Sequence, residues 1–182
     1  MEAVYGRAQE SRHLKEHFIN IIPLFADIRR NAEFSLGFDA ANNEAVGRGR
    51  VQLSNYHAVD WLLGEESTAD ETFGSIEQSL VTTYLTNGGS LLVTGAEVGW
   101  DLDAQGSTAD RAFFRGVLGA TYVADDANTH ALQAGIGGTV SEGVPASTFD
   151  NGTGPTYNVD YADVLTPSNA LGQICLRYGN GL

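Results

Sequence analysis

The residues whose spacing speaks most directly of chemistry are Gly95-Ala-Glu-Val-Gly99. They follow the apolar run Leu91-Leu-Val93 and match the glycine–x–nucleophile–x–glycine turn, which lifts a central side chain above the end of a strand. The central residue is Glu97, not Ser or Cys. A carboxylate there cannot perform the hydroxyl or thiol acyl transfer of that turn, but it can be a general base, a glycosyl-enzyme nucleophile or a metal ligand. It can also accept backbone N–H groups and simply fix its own turn. Glu65 and Glu66 follow an earlier apolar run, Trp61-Leu-Leu63, so one of them can face Glu97 while the other points to solvent. Paired carboxylates repel, which raises one pKa and sets an acid beside a base, or they recruit a cation. The expected catalytic set is therefore Glu97 with Glu65 or Glu66, supported by Asp101.

Neighbouring side chains extend this set. Trp100 can stack on a sugar ring or pack into the core. Ser67, Asn43 and Glu44 lie in the loops that should flank the same cleft and are expected to contact a substrate. Asp101-Leu-Asp-Ala-Gln-Gly106 opens like a calcium loop, although the twelfth position is Ala112, where such a loop needs a bidentate Glu. Asp125 and Asp126 can add oxygen ligands, or can form the turn that an Asp pair commonly makes after a strand. With four His and one Cys in the chain, an ion held by Asp101, Asp103, Asp125 and Asp126 is expected to be calcium, magnesium or manganese. Cys175, alone in an apolar stretch, reads as a small buried hydrophobe.

These groups need a scaffold. Ser75-Ile-Glu-Gln78 has the form of a capping box ahead of Leu80, Val81, Tyr84 and Leu85 at helical spacing, and Gly88 ends that helix. His57 to Leu63 reads as a strand buried on both faces toward its end, and Gly89 to Thr94 as a buried strand. Thr108 to Leu118 reads as a helix closed by Gly119, followed by a short strand, Thr121 to Val123. Alternating strands and helices with short connections predict βαβ units and a parallel sheet, whose ligands bind beyond the strands' carboxyl ends. Upstream, Leu14, Phe18, Ile21, Ile22, Phe25 and Ile28 recur at helical spacing, kinked by Pro23. Phe34 to Phe38 alternates as a weak strand, and Asp39 to Glu44 reads as a loop. Past residue 125, short β-prone pieces including Thr156 to Tyr161 and Gln173 to Tyr178 predict hairpins. The expected organisation is one α/β domain over 1–182, with a helical segment at 1–33, a parallel core at 34–124 and a hairpin-rich part at 125–182.

Composition bounds the partners. The 182 residues carry 10 Lys+Arg against 23 Asp+Glu, a net charge of −13, and the pI is about 4.4. Such a chain lacks the cationic surface that grips nucleic acid or an anionic membrane. No stretch approaches the roughly 18 apolar residues of a membrane span, and Met1 to Arg7 lacks the basic-then-apolar pattern of a signal peptide. The last apolar stretch ends at Tyr178 without a closing helix, so open sheet edges and a homo-oligomer are expected.

The set Asn43-Glu-Ala-Val46, Trp61 to Thr68, Tyr84-Leu-Thr-Asn-Gly-Gly89, Gly95 to Leu102 and Tyr122-Val-Ala-Asp-Asp126 resembles a bacterial domain of the class I glutamine amidotransferase-like kind. The resemblance covers residues 38 to 178. It implies a flavodoxin-like, mainly parallel sheet with a β-rich C-terminal excursion, lacking terminal strands. It also implies a place in large secreted or cell-surface proteins often labelled xanthan lyase or N-acetylmuramoyl-alanine amidase. The amidotransferase Cys position falls on Glu97, so glutamine hydrolysis is not implied. Two functions follow: a hydrolase using cleft carboxylates on a glycosidic or ester-like bond of a glycan or other small substrate, or a non-catalytic carbohydrate-binding or accessory module that has lost the nucleophile.

Overall fold

A computed structural model describes residues 18–22, 39–153 and 157–182. Its central strand is β3, Ala58–Gly64, in which Val59, Trp61 and Leu63 are buried and the alternate residues are not. This period of two defines a sheet with one dry face, where the sequence predicts burial on both. Trp61, with no exposed surface, stacks on Phe73 at 4.9 Å between centroids, and Phe73 meets Phe113 at 5.4 Å. Val46, Val81, Tyr84 and Phe114 complete the same apolar cluster.

The helices supplying those residues are α1, Asn43–Gly47, α2, Ser75–Thr86, and α3, Thr108–Phe113, which runs on as a π-helical turn at Phe114–Leu118. Asn42 caps α1 by accepting the Ala45 N–H at 3.1 Å. The cap of α2 is displaced by one residue from the predicted box. Gly74 is the N-cap and donates its N–H to Glu77 Oε2 at 2.8 Å, while Gln78 reaches Phe73 O and Asp110. Gly88, at φ +88, closes α2, and Gly119, at φ +76, closes the π-helical turn, both as predicted.

Strands β1, Phe18–Ile22, β2, Asp39–Asn42, β3 and β4, Ser90–Gly95, form one sheet in the order β2-β1-β3-β4. β1 is antiparallel to both neighbours, and β3 and β4 are parallel, joined across α2. The predicted N-terminal helix is thus overturned at 18–22. Three isoleucines in five residues, stiff at χ1, suit a strand better than a helix. The remainder of that prediction, and the strand at Phe34 to Phe38, lie outside the described residues. The predicted loop at Asp39 to Glu44 is β2 running into α1.

The third predicted parallel strand departs from the expected topology. β5, Ala120–Ala124, pairs antiparallel with β8, Val164–Pro167, a strand the sequence reading missed. A cavity of about 440 Å³, lined by Leu91, Val93, Val117, Leu118 and Leu165 among others, runs beside β4, whose Leu92 is 58% exposed. The buried strand predicted there is therefore a half-exposed edge. β6, Ala131–Leu132, and β7, Ser147–Thr148, make a third small sheet, while Asn158 and Tyr178 contribute only isolated bridges where longer strands were expected. The described residues make a mixed α/β structure with one parallel pair of strands. Among the described residues no helix is long and apolar enough to cross a membrane.

Asp103 fastens the π-helical segment Trp100–Gln105 to these elements. Its side chain is 2% exposed; Oδ1 takes the Arg115 guanidinium at 2.7–2.8 Å, and Oδ2 takes the Tyr122 N–H of β5 at 2.9 Å. Asp103→Ala leaves a half-buried N–H without its acceptor and removes a charge-assisted pair, and should cost about 1–3 kcal/mol. Urea unfolding of the wild type and the variant measures it, and a loss below about 0.5 kcal/mol would contradict the clamp.

Candidate functional site

The turn at Gly95–Gly99 has the strand–turn–helix context its sequence predicts. β4 ends at Gly95, Ala96 donates its N–H to Gly64 O at 2.9 Å, and the helical segment is under way when Asp101 N–H reaches Glu97 O at 3.0 Å. Both glycines are demanded by packing. A Cβ on Gly95 meets Val98 Cγ2 at 2.8 Å and Leu63 Cβ at 2.9 Å. One on Gly99 meets Leu165 Cδ2 at 2.7 Å and Asp163 Oδ2 at 3.1 Å. The backbone at Glu97 is nonetheless unstrained: among the described residues only Glu71 and Asn128 have positive φ outside glycine.

What the turn holds is Asp163. Oδ2 of this carboxyl accepts the N–H of Gly99 at 2.6 Å and of Trp100 at 3.0 Å, and the Asp163 N–H returns to Ala96 O at 2.9 Å. The Tyr178 hydroxyl donates to Asp163 O at 2.7 Å. Asp163 is 7% exposed, and Oδ1 is buried with no hydrogen-bond partner among the described residues. Burial pushes its pKa up to about 7, against the lowering effect of the Trp100 and Gly99 N–H groups, and the charges of Glu97 and Asp125 push the same way.

Asp163 lies in the wall of a cleft of about 630 Å³ beyond the carboxyl ends of β3 and β4. Leu62, Gly64, Thr94 and Gly95 form one side; Phe149, Asp150, Tyr157, Leu176, Arg177 and Tyr178 of the C-terminal part form the other. This is the position that a parallel β-α-β unit offers to a ligand, and the size suits a small molecule. Burial raises the Tyr157 and Tyr178 hydroxyl pKa values, helped by Asp150 and Glu65 at the first and by Asp163 and Asp126 at the second.

The predicted site residues divide around this cleft. Glu97 is half-buried and acts on Asp163 and Tyr122 through its charge, without forming the cleft wall. Glu65 is exposed beside Gly64 at the rim. Glu66 is 1% exposed and is not the cleft acid expected of it; the tight turn that donates Glu66 N–H to Leu63 O at 3.1 Å sends it inward. Asp101 is a fastener, its Oδ2 accepting Thr72 N–H at 2.8 Å and Thr72 Oγ1–H at 2.7 Å. Trp100 packs near Tyr122, at 6.1 Å between centroids, away from the cleft wall. Ser67 stays in its own turn, accepting Asp70 N–H through its carbonyl, and Asn43 is buried on α1, where its side chain bonds Glu77. Glu44 is exposed on α1, so neither it nor Asn43 reaches the cleft.

The four expected metal ligands are likewise dispersed in role. Asp101 and Asp103 are occupied by Thr72, Arg115 and Tyr122, and Asp126 accepts Asn128 N–H at 2.6 Å in an Asx turn. Among the described residues no three His, Cys, Asp or Glu side chains group to hold a metal ion. The residue that sequence reasoning missed is Asp163. Its signal was present, an acid set inside the apolar run Ala162-Asp-Val-Leu165.

No family model matches this chain, and neither the curated proteins nor the solved structures contain a match to it.

The raised pKa has a measurable sign. Asp163 holds its proton more tightly folded than unfolded, so its contribution to stability is full below about pH 4 and is lost as pH rises through about 7. The carboxyls of Asp60 and Glu77, also raised by burial, act in the same direction. Asp163→Asn keeps an oxygen for Gly99 and Trp100 but cannot ionise. Melting temperatures measured from pH 5 to pH 8.5 should fall less in this variant than in the wild type; parallel curves would contradict the assignment.

Proposed function

We propose that this chain is a ligand-binding module, of carbohydrate-binding or accessory type, that keeps a class I glutamine amidotransferase-like, flavodoxin-like elbow and has lost its nucleophile. The reading rests on one observation: the backbone donors just past the elbow, Gly99 and Trp100, are taken by the protein's own Asp163 carboxyl. An oxyanion needs free, pre-aimed donors at the place where its charge develops. The Gly99 and Trp100 donors are already satisfied by the protein and are not open to a ligand. The unstrained Glu97 backbone and the inward-facing Glu66 support the same reading.

The cleft supplies the binding surface. Phe149, Tyr157 and Tyr178 offer faces on which a ring can lie, and Asp150 and Thr94 offer polar contacts at the wall. The resemblance of the elbow and its neighbouring segments to domains of secreted bacterial proteins supports a role at the cell surface or outside the cell. The net charge of −13 supports no role on nucleic acid or an anionic membrane. Among the described residues no strand pairs with the outer edge of β4, which supports assembly of like copies.

A second reading, hydrolysis by carboxylates, is favoured by one feature. The Asp163 carboxyl, its pKa pushed up to about 7 by burial with the Glu97 charge adding to it, can act as a proton donor. Turnover of chromogenic glycosides, esters and phosphoesters by the wild type, Glu97→Gln and Asp163→Asn, each with and without EDTA, separates the two readings. The binding-module reading expects no turnover from any of the folded proteins. Wild-type activity lost in either variant would replace it with the hydrolase, and activity lost only on chelation would move the carboxylates into a metal shell.

A further inference from the structure

The apolar cluster that seats α1, α2 and α3 on β3 draws, among the described residues, on none beyond Ala120. Past it lie two spaces, the cleft of about 630 Å³ and the cavity of about 440 Å³ beside β4, and Gly95, Asp163, Leu165 and Tyr178 belong to the walls of both. Asp163 therefore bridges a seam, between the βαβ unit and the C-terminal part, that has open space on either side. The hydrogen bonds that close the seam at this point are its own: Oδ2 to the Gly99 and Trp100 N–H groups, and its N–H to Ala96 O. β8 has a separate anchorage. It pairs with β5, and Ser168 just beyond it gives its N–H to Gly119 O at 2.9 Å and its hydroxyl to Arg115 O at 2.6 Å. The seam can thus part at Asp163 without unpairing β8.

The charge on Asp163 decides how firmly it holds. Ionised, the group places a charge in a buried site where Oδ1 has no donor among the described residues, and where the charges acting on it, Glu97 on the turn and Asp125 past β5, are both negative. The other titratable groups around the seam do not offset that charge. Tyr178, which donates to Asp163 O, and Tyr122 have hydroxyl pKa values raised above the ordinary one, so both stay neutral. Asp126 acts on Tyr178 as a further negative charge, and Asp150 in the cleft wall is acidic too. Asp101 and Asp103 are engaged by Thr72, Arg115 and Tyr122, and Arg177 in the cleft wall is exposed to solvent. Parting the seam lets water reach the carboxylate, so ionisation favours the open form and the proton favours the closed one. By linkage the contact is strongest below about pH 4 and weakens as pH rises to about 7, where the loss levels off.

We propose that the contact of Asp163 with the Gly95–Trp100 turn is a proton-operated latch, which holds the two walls of the cleft together while Asp163 carries its proton and opens on ionisation, joining the two spaces while the sheet stays folded. The latch belongs to the fold and stands whatever the cleft binds.

Amide hydrogen exchange of the full chain, followed by NMR from pH 4.5 to pH 8 and divided by the intrinsic rate at each pH, tests it. Protection of the Gly99, Trp100 and Asp163 N–H groups should fall about tenfold or more between pH 5 and pH 7 and then level off, while the amides of α2 and of the β3–β4 ladder keep theirs. Asp163→Asn cannot ionise and should hold the protection of Gly99 and Trp100 constant across the range. Should that variant fail to fold, Glu97→Gln removes one of the like charges and should make the wild-type fall shallower. Protection at Gly99 and Trp100 that does not change with pH overturns the latch. A fall shared equally by α2 and the β3–β4 ladder overturns it too, because the whole molecule then opens and not the seam. So does a fall that persists undiminished in the folded variant, since another group then carries the proton.

Discussion

The N–H groups of Gly99 and Trp100 converge on one carboxyl oxygen of Asp163, 64 and 63 residues further along the chain. That convergence determines much of what surrounds it. It brings the C-terminal part against the end of β4, and with the Asp163 N–H to Ala96 O bond it makes the turn and β8 one unit. It also requires Gly99, since any Cβ there would press into Leu165 and crowd the carboxyl. The cleft exists because these two parts of the chain meet at this point without filling the space between them.

The same contact explains the electrostatics. A carboxyl with two backbone donors would ordinarily have a low pKa. Burial outweighs those donors, and the nearby charges of Glu97 and Asp125 add to it, so the proton is held until near neutrality. Acids at the ends of several elements therefore bear on one group. Asp101 and Asp103, close in sequence, are spent instead on Thr72, Arg115 and Tyr122, which hold the helical segment that carries the donors. The acidic residues thus fall into fasteners beneath the turn and charges around the cleft.

Local signals in the sequence carried most of the βαβ unit. The apolar run of β3, the glycine after α2 and the glycines at 95 and 99 each answer to a nearby steric or periodic demand, so they are legible from a few residues, although the one-sided burial of β3 read as two-sided. The partner of β5 was not, because antiparallel pairing with Val164–Pro167 depends on contacts forty or more positions away. The run Phe18–Ile22 read as helix because its isoleucines also fit a helical period, whereas their branching at Cβ and the neighbouring strands favour β. At the site, sequence reasoning found the elbow and its Glu97 but not Asp163, since a lone acid inside an apolar run shows its role only when its donors arrive. Glu65 and Glu66 were indistinguishable as neighbours; a single turn sends one outward and the other into the interior.

The Gly99 and Trp100 donors and the protein's own buried carboxyl satisfy one another, at the cost of a carboxyl that keeps its proton up to about pH 7. Carbon-detected NMR titration of the Asp163 side-chain carboxyl in the intact chain tests it most directly. The midpoint is expected at about 7. A midpoint near the ordinary aspartate value, about 4, would mean that water reaches the group and that the buried contact does not persist in solution.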